Sequence, residues 1–177
     1  MATWNSRGLR GSTLEDMLKV THELFREKKI AMMQKIPTPI TPINIDKATR
    51  HITLAYFGEK STVDYVGAVQ GYPVCFDAKE CASDRFSLQN IHQHQIQYMT
   101  EFEQQGGIAF FLIYFKKHET FYYLTLREAH YHVDRMDEGG LKHIKYEELD
   151  EDYFIPLEKQ IYINYLKILQ KDIDGRQ

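Results

Sequence analysis

The sequence predicts an α/β domain: one mixed β-sheet flanked by helices, with an arm projecting from it. Three observations carry that expectation. Apolar residues recur at helical spacing near the start of the chain, several short runs are rich in β-branched and aromatic residues, and prolines interrupt the pattern between them. The 177 residues fit a single domain, 1–177, and 43% hydrophobic residues with 13% aromatics suffice for a real core.

The first element is "STLEDMLKVTHELFREKK". Ser12 followed three residues later by Glu15 is a capping-box pattern, and Leu14, Met17, Leu18, Thr21, Leu24 and Phe25 share one helical stripe. Glu15, in the first turn, has either a capping and dipole role or a supporting role at a metal site. "IAMMQKI" then reads as a buried strand. In "PTPITPINIDKATRHITLAYFGEK", Pro37, Pro39 and Pro42 forbid a helix and disfavour a central strand. Residues 37–57 are therefore expected to leave the body as an extended arm with Lys47, Arg50 and His51 near its tip. A loop of this length is functional or disordered, and its β-branched and aromatic content argues against disorder. Either DNA contact or dimerisation would use it.

"STVDYVGAVQGYPVCFDAKE", residues 61–80, reads as a hairpin but places charges where a sheet prefers apolar side chains. A tight turn at Gln70-Gly71 pairs Val69 with Tyr72, and the same register carried outward sets Asp64 opposite Asp77 and Thr62 opposite Lys79. All four side chains then share one face. Opposed Cβ atoms lie roughly 4.5–5.5 Å apart, where two like charges destabilise a sheet unless a positive group sits between them. A divalent cation would serve, since Mg²⁺ takes one or two carboxylates and leaves its other positions to water and phosphate. Lys79 would reach the same phosphate. A solvated edge hairpin with ordinary surface charges is the alternative.

"SLQNIHQHQIQYMTEFEQQGG" is expected to be a helix, with Leu88, Ile91, Gln95, Met99 and Phe102 on one stripe and Gly106-Gly107 ending it. Gln95 is anomalous on a core-facing stripe, because burying an unpaired amide costs roughly 1–3 kcal/mol. It either reaches the metal site or is a hydrogen-bonded core glutamine. His92 and His94, two apart on a helix, would point about 200° from each other and make a poor metal pair. "GIAFFLIYF" and "TFYYLTL" read as strands joined near "KKHE", "REAHYHVDRM" as a short helix, and "EKQIYINYLKILQKD" as a strand-like start running into a helical tail.

Composition narrows the function classes. No apolar run approaches the roughly 20 residues needed to span a bilayer, and "MATWNSRGLRGS" lacks the apolar stretch of a secretory signal, so a cytoplasmic protein without a membrane partner is expected. Cys75 and Cys81 are too few for a disulfide framework. The net charge of −3 hides an asymmetry: residues 1–60 hold ten Lys/Arg against six Asp/Glu, whereas residues 61–177 hold twelve against nineteen. The positive end can face DNA while the acidic "YEELDEDYF" faces solvent.

At this point the residues carry a resemblance. Asp64 followed by "DAK" at Asp77–Lys79 is similar to the PD-(D/E)xK nuclease signature, with Val63 in place of its proline. "RG.TLE", "PTPI…NID", "STVDYVG", "FDAKE" and "LQNIHQHQI" occur in the order and spacing of the RecU family of Holliday junction resolvases. The resemblance implies a restriction-endonuclease-like fold and a homodimeric, Mg²⁺-dependent endonuclease, with Mn²⁺ as a substitute ion, that nicks four-way DNA junctions symmetrically during recombination and repair. The arm would be the stalk that enters the junction. The family's metal ligands fall on Thr62, Asp64, Asp77 and Gln95, and its transition-state-stabilising lysine on Lys79. Glu15 is a further support, and Arg7, Arg10, Lys47, Arg50 and His51 are candidate DNA contacts. RecU proteins typically carry glutamate where this chain has Asp77, and the carboxylate is kept. A duplex-cutting nuclease of the same class and a non-catalytic junction scaffold are the competing expectations.

Overall fold

The first helix, α1 (Thr13–Glu27), buries Leu14, Met17, Leu18, Thr21 and Phe25, the stripe that its spacing predicts, while Leu24 is half-buried. The computed structural model describes residues 13–58, 62–156 and 163–176, so the Ser12 cap and the candidate DNA contacts Arg7 and Arg10 lie outside the described residues. Lys29, in the left-handed region at φ 56°, turns the chain from α1 into β1 (Met32–Lys35). This strand differs from expectation. It forms the outer edge of the sheet and is mostly exposed, with Met32 59% accessible, because a strand with a neighbour on one side only leaves its apolar side chains partly uncovered.

The chain then forms β2 (Ile40–Asp46) and β3 (His51–Phe57), which pair with each other as a separate two-stranded antiparallel ribbon. Asp46 shapes its tip by accepting from Ala48 N–H at 2.9 Å and the Thr49 hydroxyl at 2.7 Å. Lys47, Arg50 and His51 sit at that tip, all exposed.

The body is a six-stranded sheet completed by β4 (Tyr65–Val69), β5 (Tyr72–Cys81), β7 (Ile108–Phe115), β8 (Thr120–Thr125) and β10 (Phe154–Pro156), with the short strand β6 (Arg85–Ser87) outside it. The order is β1-β4-β5-β7-β8-β10, and only β5 and β7 are parallel, so the sheet is mixed as expected. A parallel pair needs a crossover connection, and β6 with α2 (Gln93–Gln104) supplies it. Every residue of β7 is buried, because both faces of the sheet are covered. Phe110, Leu112 and Tyr114 pack with α1 and with α4 (Leu166–Asp174), whereas Phe111, Ile113 and Phe115 pack with α2 and α3 (Leu126–Asp137). A small ribbon of β6 and β9 (His143–Lys145) covers the same side as α2, through buried Phe86 and Ile144.

Two buried polar arrangements tie distant parts of the chain together. The Tyr123 hydroxyl donates to Asp172 at 2.9 Å, and Arg176 joins Asp172 at 2.9 Å to Glu103 of α2 at 2.7 Å. Burial first, and then the Asp172 carboxylate, push the Tyr123 phenol well above its ordinary pKa and keep it protonated. On the same face as α4, Ile163 N–H donates to the Thr21 hydroxyl of α1 at 3.0 Å. His22 lies among Tyr65, Phe76, Phe25 and Tyr165, with its Nε2 3.0 Å from the Tyr165 hydroxyl, and burial lowers its pKa to about 4. Both cysteines are buried and free. Among the described residues, no helix is long and apolar enough to cross a membrane.

Candidate active site

The hairpin that positions the site forms in the register its sequence predicts. Gln70 and Gly71 adopt φ of 47° and 96°, the two left-handed positions of a primed turn, and Val69 pairs with Tyr72. The last paired residues are Tyr65 and Phe76. Beyond that ladder stand Asp64, just before β4, and Asp77, inside β5 opposite Phe111 of β7; the ladder stops short of the expected Thr62–Lys79 pair, and the Asp64 carboxylate accepts from Ala78 N–H at 3.0 Å. That bond keeps the strand ends together past the final ladder pair.

Asp77 is buried, with 1% of its surface accessible, and three groups surround it. Gln95 donates to its Oδ1 at 2.8 Å. The Lys79 ammonium, on the same face two residues along β5, lies 2.5 Å from its Oδ2. Asp64 is near enough for its charge to act on it. Burial is the largest influence on Asp77 and Asp64 the second; together they outweigh Lys79 and push the Asp77 carboxyl up to about 6. The Gln95 amide oxygen is engaged as well, accepting from Lys79 at 3.3 Å and from His92 N–H at 3.2 Å. The buried amide is thus both hydrogen-bonded in the core and in contact with the proposed metal ligand.

Gln95 arrives there by a route that differs from the expected one. Leu88–Asn90 form a turn of 3-10 helix, and α2 begins only at Gln93, so Leu88 and Ile91 precede the helix rather than share its stripe. His92 is the N-cap, in extended conformation, and Gln95 stands at the third helical position, completing a capping box. The histidine geometry changes with it. Because His92 lies outside the helix, its ring stacks on that of His94 at 5.5 Å and 11° instead of pointing away. At the other end, Gly106 ends α2 at φ 82°, as expected.

Thr62 lies close enough to Tyr98, three residues after Gln95, to temper the rise that burial gives its phenol pKa. Asp64, Asp77, Lys79 and Gln95 are brought together by the hairpin and the start of α2. Tyr98 escapes a sequence reading focused on charged residues, although its spacing of three from Gln95 puts it on the same side of the helix. Glu15 stands apart. Its ion pair is with Lys35 of β1 at 2.6 Å, in a groove between α1 and β1, whereas Asp77 faces α2 on the other side of the sheet.

The donor set fits a hard divalent cation. The buried Asp77 Oδ2 meets Lys79 as an ion pair but has no aligned hydrogen bond, which leaves a desolvated carboxylate oxygen with coordination capacity. The Asp64 carboxylate lies beside it, and Gln95 holds the other Asp77 oxygen through its amide N–H. The carboxylates at this place are those of Asp64 and Asp77, and Mg²⁺ ordinarily takes one or two carboxylates from a protein.

Comparison with known proteins places these residues in a family. Residues 9–171 match the family described as Recombination protein U, RecU. The Holliday junction resolvase RecU of Levilactobacillus brevis is 35% identical over 175 residues, which cover 96% of this chain and 87% of that protein. The RecU resolvase of Bacillus subtilis is 36% identical over 167 residues, 92% of this chain and 80% of that protein. Among solved structures, Hjc of Archaeoglobus fulgidus, a Holliday junction resolvase, aligns over 63% of this chain and 74% of its own with 9% identity and a TM-score of 0.35; at that distance the likeness carries no argument.

Proposed function

The chain belongs to the RecU family, and on that premise we propose that it is a Holliday junction resolvase, a structure-specific endonuclease that nicks four-way DNA junctions by Mg²⁺-dependent hydrolysis. The observation that carries the catalytic reading is the buried Asp77 carboxylate, set beside Asp64 and contacted by both Lys79 and Gln95.

Asp64 and Asp77, with Thr62 and Gln95, would hold Mg²⁺ or Mn²⁺. A cation bound there supplies Lewis acidity at the scissile phosphate and lowers the pKa of an attacking water. Asp77 contributes a desolvated negative charge that favours a cation over water. Gln95 keeps that carboxylate in one orientation by donating to Oδ1, and Asp64 is steadied by the Ala78 amide. Lys79 places a positive charge within reach of the reacting phosphate, where it offsets the charge that develops in the transition state. Glu15, paired with Lys35 in the groove between α1 and β1, has no part in holding the cation.

The ribbon of β2 and β3 is the proposed stalk inserted in the single nuclease domain, with Lys47, Arg50 and His51 at its tip touching DNA; Arg7 and Arg10 add phosphate contacts. The protein acts as a homodimer in the cytoplasm, because two sites related by two-fold symmetry suit two equivalent cuts. A labelled four-way junction and a linear duplex of the same sequence, each with and without Mg²⁺, test this. Paired nicks at symmetric positions of the junction, only with metal, are expected. Equal cutting of the duplex would make the protein a general duplex nuclease, and junction binding without cutting would make it a scaffold.

A further inference from the structure

Beyond Lys79, the chain builds a second cationic surface that the metal site does not use. β5 continues through Cys81 into a bend at Asp84, and β7 is followed by Lys116, whose N–H donates to the Cys81 carbonyl at 2.9 Å. The Lys117 and His118 side chains that follow β7 both close on Asp84, His118 at 2.5 Å, so one carboxylate gathers two basic groups. Arg85 and Lys145 are directly opposed in the β6–β9 ribbon. The His118 ring is stacked on Tyr146, 3.8 Å between centroids, which fixes its place at the rim. Together these residues line an open depression, with Glu147 as its second acid.

Three features argue against an ordinary solvated face. The arrangement puts Arg85 and Lys145 cross-strand, where like charges are unfavourable, and among the described residues the one carboxylate that pairs with Lys145, Glu147 at 3.6 Å, leaves Arg85 uncompensated. Arg85 is exposed, and none of the ion pairs among the described residues includes it. The cluster also lies on the α2 side of the sheet, the side that carries Asp77, since the β6–β9 ribbon packs there through Phe86 and Ile144. From Asp77 to Cys81 is four strand residues, on the order of 13 Å at about 3.3 Å each. That distance corresponds to roughly four base steps of a duplex.

We propose that Arg85, Lys117, His118 and Lys145 form a phosphate-backbone seat that holds a duplex arm of the DNA substrate a few base pairs from the cut. The proposal rests on the nuclease reading above and deepens it. The seat touches backbone alone, so it serves linear duplex and junction arms alike and carries no sequence preference.

The full-length protein is titrated with linear duplex and with a four-way junction, in the absence of divalent cation, across a series of salt concentrations. Wild type is compared with the Arg85→Gln/Lys145→Gln double variant, with Lys145→Arg, and with Glu147→Gln; thermal melts verify that each is folded. At low salt the double variant is expected to bind both DNAs about tenfold more weakly for each phosphate left without its cation, with the slope of log K against log salt reduced by about 0.9 per phosphate. Lys145→Arg should retain wild-type affinity, and Glu147→Gln should bind more tightly. Unchanged affinity and slope in a folded double variant would overturn the seat. If wild type binds DNA through this surface yet cuts neither substrate with Mg²⁺, the nuclease reading fails and the seat stands.

Discussion

The β2–β3 ribbon and the β4–β5 hairpin are both antiparallel pairs rich in aromatic and β-branched residues, yet they treat those residues in opposite ways. In the hairpin Tyr65, Val74 and Phe76 are buried, and Phe76 stacks on Phe110 and Tyr65. In the ribbon Ile43, Ile45, Leu54, Tyr56 and Phe57 are all more than half exposed, Phe57 at 78%. β-propensity made both pairs into strands; neighbours decided which became core. The ribbon's apolar surface adds little to stability in the free protein and is available to whatever the ribbon enters.

The sharpest contrast between the two regions is in catalysis. Asp77→Asn in the hairpin is expected to abolish Mg²⁺-dependent nicking while junction binding persists, and Lys79→Ala to reduce it about 10²–10³-fold, measured by single-turnover cleavage. Neither effect is expected from Phe57→Ala at saturating DNA. The same Asp77→Asn variant should melt higher than wild type in EDTA. A carboxyl raised to about 6 in the fold costs stability once ionised, so the metal-free wild type gains stability as pH falls through 6 toward 4, by roughly 3 kcal/mol at most, and the variant does not.

Next in size is packing. Phe76→Ala should cost about 3–5 kcal/mol in denaturant unfolding, whereas Phe57→Ala should stay within about 0.5 kcal/mol. Similar losses from both would show that the ribbon folds against the body. His22 extends the comparison to acid. With a folded pKa of about 4 against an ordinary 6.5, its neutral form is favoured in the fold, so the stability it contributes is complete above pH 6.5 and is lost as pH falls toward 4, by roughly 3 kcal/mol. The difference between wild type and His22→Gln across that range isolates it from the opposite trend of Asp77.

A small effect on stability is also expected from replacing residues 40–57 by a short Gly-Ser turn. Unfolding free energy should change by less than about 1 kcal/mol, while gel-shift titration shows a larger loss on four-way junctions than on linear duplex. Equal loss on both would make the ribbon a general DNA contact, and conversion to monomers in sedimentation would make it a dimerisation element.

The hairpin register, the helical stripe of α1 and the partnership of Gln95 with Asp77 were legible because short-range rules fix them: turn length, a period of 3.6, and the cost of an unpaired amide. What was not legible depended on position in the sheet. Nothing in "IAMMQKI" says that its strand lies at an edge, and nothing in "LQNIHQHQI" says that the helix waits until Gln93. The pairing of Arg85 with Lys145 joins two residues sixty positions apart in the chain, which local patterns do not reach. The metal-site reading itself came from opposed carboxylates and from the family resemblance together.

The Arg176 clasp gives the molecule an order of manufacture. Glu103, on the helix that carries Gln95, is joined to a side chain that is synthesised 73 residues later. At about 5–20 residues per second, a growing chain carries its hairpin and α2 for on the order of 4–15 seconds before the clasp can close. The layer that presents Gln95 to Asp77 is therefore secured only after that interval, by a contact that no residue near α2 can supply.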